Sequence, residues 1–205
     1  MIEWLQKNFP TGKNYLVCQK NQEQINSLLM DKLVAPFRVG RKHSLWGEKA
    51  KQLPSIGRKL GWVPNKMPSI FLGETVELEI ADALAAQEKQ YQPTIKHIET
   101  AKNLLARFNL IELAHRKPVF LSEGETKILW FLTQWVKTPE YLIIGYLPTG
   151  LSTKRIKDLV DFLIEARENS YRSFVIILGY HPDNLDWCIS MLSHKDWKVL
   201  PELPE

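Results

Sequence analysis

Apolar residues fall along this chain in two rhythms. Short unbroken runs, Tyr15-Leu16-Val17-Cys18, Tyr141-Leu142-Ile143-Ile144 and Phe174-Val175-Ile176-Ile177-Leu178, have the pattern of strands covered on both faces of a parallel sheet. Elsewhere apolar positions recur every three or four residues, the period of a helix with one buried face. Ile128, Leu129, Leu132, Trp135 and Val136 predict one such helix, and Ile156, Leu159, Val160 and Leu163 another over Thr153 to Glu168. Val76 to Gln90 predicts a third, Pro93 opens a fourth carrying Ile95, Ile98, Ala101, Leu104 and Leu105, and Leu110 to His115 reads as a short fifth. Helices are also expected over Ile25 to Val34 and Asp183 to Leu192, with short strands around Phe37 to Val39, Leu60 to Val63 and Asp196 to Leu200. Residues 1–14 read as a short helix and turn, broken at Pro10-Thr11-Gly12. Strands alternating with helices argue an α/β fold on a mainly parallel sheet.

Local chemistry sharpens two helix starts. Ser122 stands at an N-cap, and Glu125 three residues on completes a capping box. Lys137 closes that helix with positive charge where the helix dipole favours it. Thr75 is the second N-cap, with Glu77 and Glu79 in the first turn.

Composition narrows the classes. The 205 residues, 44% hydrophobic and 24% charged, suit one soluble domain, 1–205, with a sizeable core. No apolar run reaches the roughly 18 residues of a membrane span, and Glu3 and Lys7 interrupt any signal peptide at the start. Cys18 and Cys188 lie in apolar surroundings without paired spacing, which reads as buried thiols in a reducing cytoplasm. The net charge is +4. The basic residues of 38–66 form the densest positive zone, but no nucleic-acid motif accompanies them, so no nucleic-acid partner is expected.

The stretch from Leu121 to Ser152 carries a more specific pattern: Leu121-Ser122-Glu123-Gly124-Glu125, a helix, Pro139, four apolar residues, and Gly150-Leu151. It resembles, without a gap, the signature-to-Walker B region of the ATP-binding cassette (ABC) ATPases. Leu60-Gly61-Trp62-Val63-Pro64-Asn65 is similar to that family's strand into the Q-loop, and Phe71 to Ile80 to the segment after it, most like the cobalt and vitamin importer branch. The resemblance spans residues 12 to about 200. It implies a P-loop NTPase-like sheet, a helical subdomain over about 75–137 inserted in the α/β core, and a truncated N-terminal β segment.

The chain also departs from that family's pattern. Gly145 stands where the family has the magnesium-holding Asp, Tyr146 where it has the catalytic Glu, and Ser152 where it has the D-loop Asp. In the phosphate loop, Ile25 replaces the Lys and Asn26 the magnesium Ser; Asn65 replaces the Q-loop Gln, and His181 lies near the switch His but out of register. A phosphate loop needs glycines for converging N–H groups, a Lys for the β/γ oxygens and a hydroxyl for the metal. The resemblance and its departures together imply a pseudo-ATPase, not an enzyme. It would hold no nucleotide or metal in cis and have no catalytic residues. Ser122, Gly124 and Glu125 would contact ATP and Mg shared with a partner chain in a homo- or heterodimer. That role is a partner or regulatory subunit of an intact ABC ATPase or an ABC membrane subunit, in the cytoplasm and peripheral at the membrane. Two alternatives stand beside it: a nucleotide-independent scaffold on the same fold, and a surviving ATPase with displaced residues.

Overall fold

A computed structural model describes residues 2–10, 12–19, 59–64, 71–145, 150–168, 173–179 and 197–200. The elements expected at 25–34, 37–39 and 183–192 lie outside these residues. In chain order the elements are α1 (Ile2–Asn8), β1 (Asn14–Gln19), β2 (Leu60–Val63), α2 (Val76–Gln87), α3 (Ile95–Arg107), α4 (Glu123–Val136), β3 (Tyr141–Ile144), α5 (Thr153–Glu168), β4 (Ser173–Gly179) and β5 (Trp197–Leu200).

The strands form one sheet in the order β2-β3-β4-β1-β5, and every neighbouring pair is parallel. Ile143 sits opposite Trp62 on one side and Val175 on the other. All four residues of β3 are buried, as an unbroken apolar run flanked by strands on both sides requires. Parallel pairing brings the C-terminal ends Val63 and Ile144 to one edge, where ligands bind in open α/β sheets. At the opposite edge, Phe9 is buried edge-on to Tyr15, ring centroids 5.0 Å apart, so this aromatic residue belongs to the core.

Between β2 and β3 the chain builds α2, α3 and α4. Of these, α2 ends earlier than periodicity suggests, for a backbone reason, while α4 ends at Lys137 as expected. Lys89, Asn109 and Thr138 follow α2, α3 and α4 in the left-handed region, at φ 61°, 55° and 52°. In the first two, the next amide turns back onto the helix: Gln90 N–H to Ala85 O and Leu110 N–H to Leu105 O, both 2.8 Å. This closure satisfies carbonyls that a longer helix would have used. Hence α2 stops at Gln87, not Gln90. Leu110 is spent as the apolar lid of α3, leaving only a 3-10 turn at Ile111–Leu113 where a helix over Leu110 to His115 was expected. At its start α3 begins two residues after Pro93, because Thr94 N–H donates to His97 Nδ1 at 3.1 Å and makes Thr94 the cap.

The helices meet the core through an aromatic cluster. Phe131 of α4 lies 5.9 Å from Phe108 after α3 and 5.8 Å from Phe162 of α5, with Trp135 stacked at 6.2 Å. Truncating its centre, Phe131→Ala, is expected to remove about 3–5 kcal/mol of stability, read as a lower urea midpoint. Thr138 is a β-branched residue held at positive φ, which costs roughly 1–2 kcal/mol. Thr138→Gly should therefore raise the midpoint, although it forfeits a weak exposed bond from Gln87 Nε2 at 3.4 Å.

Candidate functional site

The first turn of α4 is built from local hydrogen bonds. Ser122 Oγ accepts from Glu125 N–H at 3.4 Å, and Glu125 Oε2 accepts from Ser122 N–H at 2.9 Å, the reciprocal box its spacing predicts. Ser122 and Glu123 are exposed, whereas Gly124 is buried. A Cβ on Gly124 would lie 2.3 Å from Gly150 O, so the helix rests its bare backbone on the loop that follows β3. Gly150 has φ 75°, and a Cβ there would meet the Glu123 side chain at 2.8 Å. Each glycine thus makes room for the other's segment. The carboxylate chain of Glu123 is laid against Gly150, turned toward its own chain.

Ser152, two residues on, caps α5: its Oγ accepts from Arg155 N–H at 3.4 Å and its carbonyl from Ile156 N–H at 3.0 Å. The Arg155 guanidinium then reaches Glu125 Oε1 at 3.3 Å. Burial pushes the Glu125 carboxyl up, but hydrogen bonds from Ser122 and the Arg155 charge outweigh it, and the net shift is downward. A lowered folded pKa means this network adds stability above the usual carboxylate range and loses it as pH falls through the lowered value.

Behind the turn lies Lys127, 2% exposed although charged. Burial pulls its ammonium down to about 8, opposed by the charge of Glu123 one turn earlier. Gly145 is buried at the end of β3 and donates its N–H to Val63 O at 2.8 Å. Being a glycine, it offers no side chain at this end of the sheet. Tyr146, Ile25, Asn26, Asn65 and His181 lie outside the described residues. The structure therefore brings together Ser122, Gly124, Glu125 and Ser152, and sets Gly145 at the sheet edge.

A second feature opens beside this turn. Phe71, Gly73, Glu74, Lys117, Pro118 and Val119 line an open cleft of about 430 Å³. Leu72, Val119 and Phe120, in or next to its walls, are 90%, 70% and 63% exposed. One wall is fixed by Glu79, whose Oε2 accepts from Leu72 N–H at 2.8 Å and Gly73 N–H at 2.6 Å. Sequence reasoning did not single out Arg155, Lys127 or Glu79 in these roles. Lys127 had a readable signal, since it shares the apolar face with Ile128 and Phe131. The contact of Arg155 with Glu125 joins residues thirty apart and has none.

No family model matches the chain. It is 25% identical over 127 residues to the energy-coupling factor transporter ATP-binding protein EcfA1 of Mesomycoplasma hyopneumoniae, covering 62% of this chain. The match spans under half, 46%, of that relative's length. Among solved structures the chain is similar to cbiO1 of Clostridium perfringens, part of the ABC transporter complex cbiONQ. The TM-score is 0.57 at 14% identity, over 83% of this chain and 68% of that one. It is also similar to the ATP-binding cassette MJ0796 in a dimeric post-hydrolysis state with ADP and Pi, TM-score 0.61 at 13% identity, over 84% and 76% of the two chains. An ATP-binding subunit of an ABC transporter gives a TM-score of 0.63 at 16% identity, over 93% and 75%.

The resemblance to ABC ATPases of the cobalt and vitamin importer branch is upheld, and the chain carries their nucleotide-binding-domain fold. These similarities overturn the expectation that the chain is not an enzyme. The proteins it is similar to are ATP-binding proteins, one of them caught with ADP and Pi after hydrolysis. Altered motif positions do not amount to a dead site, and most of the phosphate-side residues lie outside the described ones.

The geometry of the turn predicts two outcomes. Gly124→Ala should cost roughly 1–3 kcal/mol through the collision with Gly150, measured by denaturant unfolding. Because its folded pKa is lowered, Lys127 binds its proton less tightly in the native state, so the native protein should gain stability as pH rises from about 8 toward the ordinary lysine range. Lys127→Met should abolish that gain, read as a melting temperature that no longer climbs.

Proposed function

We propose that this chain is an ATP-binding-cassette subunit of an ABC transporter assembly that offers the first turn of α4 to nucleotide at a joint with a second cassette. The observation that carries the reading is the seating of that turn: Gly124 on Gly150, with the Ser122 hydroxyl exposed at the head of the helix. A helix start favours an anion through its unpaired amides and dipole. The acidic residues nearby are drawn off, Glu125 by Arg155 and Glu123 against Gly150. These residues fit a terminal phosphate held by the other chain, and ATP with Mg, when bound, supplies the phosphoryl group there. Gly145 has no side chain to lend a metal, so a Mg ion bound in the joint would be held by other residues.

The cleft between Phe71 and Val119 serves as the seat for a segment of a membrane subunit, its exposed Leu72, Val119 and Phe120 giving the apolar contact. The chain then works as one domain with residues 75–137 as its helical block, in a homo- or heterodimer, on the cytoplasmic face and peripheral through its partner. No helix among the described residues is long and apolar enough to cross a membrane.

Ser122→Asp is the decisive variant, because Asp caps a helix as well as Ser does yet sets a carboxylate against phosphate. Gly124 is unsuited, since any side chain there strikes the chain's own Gly150. The full chain is mixed with an intact ABC ATPase subunit, with and without Mg-ATP. ATP should promote association, and Ser122→Asp should weaken it by roughly tenfold or more with the melting temperature unchanged. Association that ignores both ATP and Ser122→Asp would overturn the reading in favour of a nucleotide-independent scaffold. The capping box, which already occupies Ser122 Oγ and Glu125 within the chain, is the observation behind that second reading.

A further inference from the structure

Both ends of the connection from β2 to α2 close on one side chain of α4. Just before the chain leaves the sheet, Trp62 O accepts a hydrogen bond from Trp130 Nε1–H at 2.8 Å. Just after it returns, the Phe71 ring stands edge-on to the Trp130 ring, centroids 6.1 Å apart at 72°. Such an edge-to-face pair is worth about 0.5–1.5 kcal/mol beyond its buried area. Phe71 is also a wall of the cleft, and its neighbours Leu72 and Gly73 are held to α2 by Glu79. The cleft wall therefore has two attachments, one to α2 and one to the middle of α4.

Trp130 lies eight residues, or about 12 Å of helix, beyond Ser122. A helix transmits tilt along its length because each turn is bonded to the next. At the far end Gly124 touches Gly150 O without slack, so a small tilt about Trp130 changes that contact at once. We propose that Trp130 is a positioning residue: through it, the shape of the cleft sets the aim of the Ser122–Glu125 turn. The biological sense of this link rests on the cleft receiving a partner and the turn facing nucleotide. The link itself is a property of the isolated chain and is tested there.

Amide hydrogen exchange is followed by mass spectrometry on the full chain without nucleotide or partner. Phe71→Ala should speed exchange in the peptide covering 121–127 by about threefold, the scale of coupling between connected sites. In a Trp130→Leu background the same change should still loosen residues 72–79 but no longer move 121–127. Trp130→Phe keeps a ring for Phe71 and removes the N–H, so it should retain part of the response; it also serves if Trp130→Leu fails to fold. Additive effects of the two substitutions, or a 121–127 peptide indifferent to Phe71→Ala, would overturn the proposal, since a purely structural tryptophan predicts one or the other. Failure here leaves the docking reading untouched, and loss of ATP-dependent association leaves this link untouched.

Discussion

A missing side chain governs this molecule. Because Gly124 has no Cβ, the first turn of α4 can lie on the carbonyl of Gly150, and the helix is thereby seated on the loop that leaves the interior strand β3. The rest of the arrangement depends on that contact. It places Glu125 within reach of Arg155, lays Glu123 against Gly150, and leaves the Ser122 hydroxyl at the surface. Remove the contact and the helix start, the loop and the beginning of α5 lose their common anchor.

Much of the architecture was legible in the chain because it depends on short-range rules. Unbroken apolar runs mark strands buried on both faces, and Tyr141 to Ile144 is one, with all four residues buried. The capping box at Ser122 and Glu125 is equally local, and its hydrogen bonds are as the spacing implies. Helix ends were less legible. Lys89 and Asn109 stop α2 and α3 by adopting left-handed backbone, and although the α4 end at Lys137 was legible, the left-handed Thr138 beyond it was not. None of these is the glycine that usually announces such a stop. The site's wider network was not legible at all. Arg155 meets Glu125, and Trp130 meets Trp62 and Phe71, only because the sheet and helices bring distant positions together.

The departures from the resembled pattern divide into two kinds. Ser152, where the resembled pattern would have an Asp, caps α5 with its own hydroxyl. Gly145, where the resembled pattern would have an Asp, makes a strand-edge hydrogen bond to Val63 but brings no carboxylate. A backbone role can thus persist where a side-chain role does not. Reading inactivity from the second kind alone went too far, since the proteins this chain is similar to are working ATP-binding proteins.

Lys127 has a consequence of its own. Its amine is sealed beneath the α4 turn, yet its proton affinity is low enough that a sizeable share would be uncharged in mildly alkaline solution. An acylating reagent meeting the intact chain should pass it by while modifying the surface lysines. Once the turn lifts from Gly150 and water reaches the amine, the burial that lowered its proton affinity is gone and it becomes as open to acylation as a surface lysine, so its labelling gauges how tightly that helix is seated.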